Sequence, residues 1–407
     1  MRAIRRRPLL AGLAGAVMAP AVARAQAQEI RLGALFPFSG GLALLGDESF
    51  RGLELAVEER NAAGGAAGRP LRLIRGDASD QAQATAEVRR LMTAERAAVV
   101  FGTAASSLSV AATQAAELQA VPYFELGAVA DAVTERGFRS VFRTGPRASG
   151  YGMVTATAIE QAIAPALGAE ARALRIAILH EESMDGQAIA QAQETELRAR
   201  GLQLIERIAA ATRPADLAAA LQRLRAANAE ILLHTAIRSD IAPFFRTMEE
   251  AAWRPRLVIG AGAAYALADT ARAIGPAFEG VLSVEVTPLA VGDRFAPGAQ
   301  AFQEAYKRRH GADPRSGHSL VNYAGAIVAL DAIHRAGGTD RERLHAAVLA
   351  TDIPDGGTAA GWGARFDEKG QNIRALPVLS QWQDGRIAAV FPALAAVAPL
   401  RPRMGTG

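Results

Sequence analysis

Ser106 and Ser107 stand between the apolar run Val99-Val100-Phe101-Gly102 and an Ala-rich stretch from Leu108 to Gln119. Hydroxyls at the start of a helix lie beside backbone N–H groups that have no intrahelical partner and carry the positive end of the helix dipole. Such a turn suits a carboxylate or another small anion. It equally suits a serine that caps its own helix, so the pair leaves both uses open. Chemistry beyond anion capture finds little support. The six histidines, His180, His234, His310, His318, His334 and His345, never fall into H-E-x-x-H or a similar spacing. His180-Glu181-Glu182 is the single local His/carboxylate cluster, and at a strand end it reads as a loop feature, so no metal is expected. The first strand runs into Pro37-Phe38-Ser39-Gly40-Gly41 rather than G-x-G-x-x-G. Neither a Walker-type loop nor a G-x-S-x-G elbow occurs. An enzyme and a bound cofactor are therefore not expected.

The elements that would position these residues alternate. From Glu29 the pattern predicts strands at 29–36, 71–75, 97–102 and 121–124, with helices at 48–61, 81–93 and 108–119 between them. A short strand at 141–144 ends this run. The rhythm restarts with strands at 174–180, 202–208, 230–234 and 256–260 and helices at 185–200, 214–227, 239–251 and 264–273. Strand–helix alternation with short turns is the pattern of a parallel sheet covered on both faces. A strand at 280–285, helices at 299–310, 319–336 and 341–350, and a strand-turn-strand at 378–391 around Asp384-Gly385 follow, with an antiparallel extension at the tail. Two such runs in 407 residues imply two similar lobes.

The formal net charge of +4 includes Arg2, Arg5, Arg6, Arg7 and Arg24, and the first 25 residues hold no acid. Without them the chain carries −1, and no Lys/Arg run marks a nucleic-acid or membrane surface. Residues 1–25 read as an export signal: a basic start, an apolar stretch from Pro8 to Ala23, and Ala23-Arg24-Ala25 as cleavage site, with Arg6-Arg7 resembling a twin-arginine signal. With zero cysteines there is no disulfide and no cysteine to lipidate. A free periplasmic protein is expected.

Several local patterns line up along nearly the whole mature chain: Phe38-Ser39-Gly40 with Gly46-Asp47, Asn61-Ala62-Ala63-Gly64-Gly65, Gly102 with Ser106-Ser107, Thr134-Glu135-Arg136-Gly137-Phe138 before Phe142-Arg143-Thr144, Phe302 to Tyr306 with Lys307 and Gly311, and Phe366-Asp367-Glu368-Lys369-Gly370. Together they resemble the type I periplasmic binding proteins of ABC importers, in the leucine/isoleucine/valine-binding group. The resemblance implies an α/β fold of two Rossmann-like lobes joined by three crossovers with the ligand cleft between them. It places lobe 1 at 29–145 plus 286–360 and lobe 2 at 146–285 plus 361–395. It also implies capture of a small carboxylate-bearing ligand by hinge closure, delivery to an ABC permease and ATPase, and a monomer that binds no nucleic acid. The alternative is a sensor of the same fold that signals to a receptor.

In the amino-acid binders of this group the ligand carboxylate meets the helix start that falls here on Ala105, Ser106 and Ser107. The loop after the fourth strand, Gly127-Ala128-Val129, has Val129 where a hydroxyl usually assists. The aromatics of lobe 2 fall near Asp185, within Ser183-Met184-Asp185-Gly186, and near Arg238. The acid that pairs the ligand ammonium falls in the loop after Gly260, where this chain has Ala261-Gly262-Ala263, and the covering aromatic of the first loop falls near Leu45. Arg238 opposite Ser106 and Ser107 would suit a dicarboxylate or an acid without an amino group. Asp185 or Glu125 could instead supply the missing negative charge and restore amino-acid binding. Each has an ordinary alternative: Asp185 caps a helix, Arg238 is solvated, Glu125 pairs with an arginine, and Gly127 and Gly262 serve backbone geometry.

Overall fold

The computed structural model describes residues 28–210, 213–238 and 240–405. The export signal expected at 1–25, and Ser239 at the head of one expected helix, lie outside the described residues. The first run is β1 (Ile30–Phe36), α1 (Ala43–Ala62), β2 (Leu71–Asp77), α2 (Gln81–Thr93), β3 (Val99–Gly102), α3 (Ser106–Leu118), β4 (Tyr123–Glu125) and β5 (Val141–Arg143). These strands form one parallel sheet in the order β2-β1-β3-β4-β5. Period-two alternation sends neighbouring residues of β1 to opposite cores. Leu32, Ala34 and Phe36 pack with Phe50 and Leu53 of α1 and Leu330 and Ile333 further along the chain. Leu35 packs with Val88 and Leu91 of α2 and Leu108 and Ala112 of α3.

The second run begins with a helix absent from the sequence expectation, α4 (Ala148–Ala158), which continues through a π-turn at Ile159–Ile163 into a last turn, α5 (Ala164–Ala166). There follow β6 (Ile176–His180), α6 (Met184–Ala199), β7 (Leu204–Ala209), α7 (Pro214–Ala226), β8 (Ile231–Thr235), α8 (Ala242–Glu250), β9 (Leu257–Ala261), α9 (Ala268–Ile274) and β10 (Leu282–Glu285). The chain then adds α10 (Ala299–His310), α11 (Gly317–Arg335), α12 (Arg341–Leu349), the short strands β11 (Asp352–Ile353) and β12 (Ala364–Arg365), and the hairpin β13 (Val378–Gln383) and β14 (Arg386–Phe391). The second sheet runs β14-β13-β10-β9-β8-β6-β7, parallel except for the antiparallel hairpin at its edge.

Among the described residues the chain passes between the sheets three times: from β5 to α4, from β10 toward α10, and from β12 to β13. Before the last passage the return segment stays on the first sheet, with Asn372 N–H on the Arg143 carbonyl at 2.9 Å and Arg143 N–H on the Gly370 carbonyl at 2.8 Å. Helix α11 closes the first lobe against α1. A Cβ at Gly52 would stand 2.0 Å from the Ser319 carbonyl oxygen, so only glycine permits that approach.

Several local expectations are corrected. The N-cap of α3 is Ala105, with no side-chain cap; Ser106 is already helical and its hydroxyl is drawn elsewhere. Helix α1 starts at Ala43 rather than Glu48, which puts Leu45 inside the helix. The helix expected at 264–273 is split into a 3-10 turn, Ala263–Tyr265, and α9. Leu267 is extended between them, and Tyr265 turns inward to hydrogen-bond through its hydroxyl to His234.

Candidate functional site

Ligand crevices in open α/β sheets lie beyond the carboxyl ends of the strands where strand order reverses. In the first sheet this is the β1/β3 junction and in the second the β6/β8 junction, and the two junctions face each other. Between them lies a small cavity lined by both lobes. Lobe 1 contributes Leu45, Ala104, Gly127, Val129 and, from α11, His318. Tyr151 of α4, Glu181 after β6, Asp185, Gly186 and Ile189 of α6, Thr235 to Ile237 from the end of β8 onward, Ala261 to Ala263 from the end of β9 onward and Glu285 at the end of β10 complete it.

The anion seat foreseen at the start of α3 is formed, and the chain fills it itself. Asp185 reaches from lobe 2 so that Ser106 donates its N–H to both carboxylate oxygens at 3.1 and 3.0 Å and its hydroxyl to Oδ1 at 2.5 Å. Ser106 Oγ in turn accepts the N–H of Ala130 at 2.9 Å. Burial raises the Asp185 pKa, and the Ser106 donors oppose that rise. Asp185 does not cap its own helix: Ser183 caps α6 by accepting the N–H of Gly186 at 3.0 Å and donates its own hydroxyl to Glu181 at 2.5 Å.

Leu45, Gly127, Val129, Asp185 and Gly262 thus line the cavity. Ala105 and Ala128 are buried beside it, Ser106 stands behind Asp185, Ser107 is half-buried, and Ser183 is the helix cap. Arg238 is exposed and borders a neighbouring recess with His180, His234 and Asp240; its side chain lies against Gly41 of the first loop. Gly262 takes a positive φ of 93°, and a Cβ there would stand 2.4 Å from the Ala236 carbonyl oxygen. Glycine is required by the backbone within the loop where the resemblance expects the ammonium-pairing acid. Glu125 is sealed inside lobe 1, where it accepts the N–H groups of Thr103, Gly127 and Ala128, each at 2.8 Å, and so shapes both loops. Burial pushes its pKa up.

The acids that line the cavity besides Asp185 were not foreseen. Glu285 accepts the Tyr151 hydroxyl at 2.7 Å and has His318 Nε2 at 3.5 Å. Glu181 accepts the Ile237 N–H at 3.2 Å, and burial raises its pKa. Thr235 Oγ1 is buried with no partner among the described residues. A signal existed for Glu285, an acid that follows the largely apolar run Val281 to Val284, and for Glu181, directly after β6; nothing local marked Tyr151 or Thr235. Among the described residues no group of three or more His, Asp or Glu converges as a metal site.

A cavity between two α/β lobes, lined by residues of both and carrying a few acidic and hydroxyl groups, is the arrangement of a two-lobed binding protein of the type I periplasmic class. Residues 29–386 match the periplasmic binding protein family, and the chain belongs to it. It is 44% identical over 390 residues to the Leu/Ile/Val-binding protein homolog 7 of Brucella suis, with 96% of each chain covered. Its fold is similar to that of a leucine-binding protein from Thermotoga maritima (TM-score 0.76, 22% identity, 88% of this chain and 97% of that one). It is similar too to a solute-binding protein from R. palustris solved with benzoate (TM-score 0.73, 21% identity, 91% and 98%). Among the described residues no helix is long and apolar enough to cross a membrane.

Proposed function

We propose that the chain is the solute-binding component of an ABC importer, exported to the periplasm, acting there as a monomer and delivering a small organic solute to its permease and ATPase. The lobes that close are 29–145 with 286–360 and 146–285 with 361–395, except that the return segment near Gln371 and Asn372 rides with lobe 1 through Arg143. The observation that carries this reading is the cavity at the facing switch points, with Asp185 of one lobe bonded to Ser106 of the other. Contacts from both lobes are what allow a bound molecule to favour the closed form.

The ligand end that the cavity serves best is a nitrogen group. Glu181, Asp185 and Glu285 offer carboxylates, and Thr235 offers a free hydroxyl. An amino acid would set its ammonium there, and its carboxylate would have to displace Asp185 from Ser106. The proposal is tested by cross-linking the protein in its native host with solute present. Recovery of a permease and its ATPase is expected; recovery of a kinase or receptor instead would convert the reading to a sensor.

A further inference from the structure

We propose that Asp185 is a built-in carboxylate that occupies the anion seat of lobe 1 and restricts the cleft to small organic cations, amines or amidines, that carry no carboxylate of their own. The inference rests on the reading of the cleft as the solute site. Three observations lead to it.

The seat is spent. A serine hydroxyl has one proton to donate, and that of Ser106 goes to Asp185 while its oxygen takes the N–H of Ala130. The Ser106 N–H is shared by both oxygens of the same carboxylate. The amides of Gly127 and Ala128, the next donors along the rim, are held by Glu125. The donors of Ser106, Gly127 and Ala128 are thus already engaged by carboxylates of the chain itself.

The titratable groups of the cavity are mostly acids. Closure encloses Glu181, Asp185 and Glu285, and His318 is the one lining side chain able to carry positive charge. Enclosed carboxylates are costly without an opposite charge, so an entering cation is favoured where an anion is opposed. Among the described residues the acids form no group that could hold a metal ion, whereas an organic cation with several N–H groups can meet more than one carboxylate.

A polar side chain is unpartnered. Thr235, 1% exposed, lines the cavity with its hydroxyl bonded to nothing among the described residues. A buried hydroxyl left alone costs free energy, and a ligand N–H beside it removes that cost.

The test compares wild type with Asp185→Ala by thermal shift and calorimetric titration, using isobutylamine, acetamidinium chloride, sodium acetate and L-leucine as probes. Wild type is expected to bind at least one of the two cations and neither carboxylate. The Asp185→Ala protein is expected to gain binding of acetate and to bind L-leucine about tenfold or more tightly than wild type does. Should Asp185→Ala fail to fold, Asp185→Ser, which keeps a polar side chain too short to fill the seat, is put through the same comparison. If the cations bind wild type but a folded variant gains no carboxylate, the solute cleft stands and the role of Asp185 falls. Wild type that binds acetate or L-leucine as well as the variant does overturns the exclusion of carboxylates. If no probe binds either protein, the reading of the cleft falls with it.

Discussion

His234, one residue before the end of β8, is buried in lobe 2, stacked on Phe244 with ring centroids 4.1 Å apart and hydrogen-bonded through Nδ1 to the Tyr265 hydroxyl. Burial lowers its pKa to about 3, whereas in the unfolded chain a histidine titrates near 6.5. Between those values the unfolded chain binds the proton and the native protein does not. The stabilisation is complete above about pH 6.5 and is lost as pH falls toward 3, at up to about 1.4 kcal/mol per pH unit. Denaturant midpoints from pH 7.5 to 4.5 should therefore fall more steeply for wild type than for His234→Phe, in which the other titrating groups are unchanged; parallel curves would refute the buried neutral imidazole. The same scale sets the limit of legibility. Ser106 was readable as an anion-holding group because residue type and position on a helix are local facts. Its partner Asp185 is 79 residues away, and no spacing rule links residues that meet only when two lobes close.

At the scale of elements, α1 is tied to the helices that return to lobe 1 by one buried carboxylate. Glu48 accepts the Tyr306 hydroxyl at 2.9 Å, the Ser319 hydroxyl at 2.5 Å and the Arg315 N–H at 3.0 Å. Burial raises its pKa against those donors. Glu48→Ala removes the acceptor of the Tyr306 hydroxyl and the Arg315 N–H and leaves the Ser319 hydroxyl only the Ser316 carbonyl at 3.1 Å; at about 1 kcal/mol or more for each lost bond, it should cost about 2–3 kcal/mol in urea denaturation. Glu48→Gln keeps an acceptor and should cost markedly less; equal losses would mean that the site needs the charge rather than the hydrogen bonds. Most elements were legible because strand and helix alternate with short turns. Helix α4 was not. Its segment Ala148–Ala158 is Ala/Gly-rich and mostly buried, and a helix surrounded by protein shows no polar face for a 3.6-residue pattern to reveal. The split near Ala264 was hidden for a different reason, since the inward turn of Tyr265 toward His234 is a long-range contact.

The two-lobed architecture could be read at the scale of the whole molecule because two α/β runs leave little choice of topology. Which loops face each other could not, because the lobes are assembled by three separated passages of the chain. Their juxtaposition yields the last prediction. A solute held by Leu45, Gly127 and His318 on one side and by Glu181, Thr235 and Glu285 on the other is released only when both lobes part, so its binding energy stabilises both. At a concentration one hundred times Kd that linkage is worth about 2.7 kcal/mol. With an unfolding entropy of about 2.1 cal/mol/K per residue over 407 residues, the melting temperature should rise by about 3 °C. Hydrogen exchange at the same concentration should slow at the start of α3 and in the loop after β8 together, because closure removes both from solvent in one step. A solute seated in the recess beside Arg238, lined by residues of lobe 2 alone, would slow exchange after β8 and leave α3 as it was. Protection confined to one lobe would therefore place the solute outside the cavity and remove the basis for capture by closure.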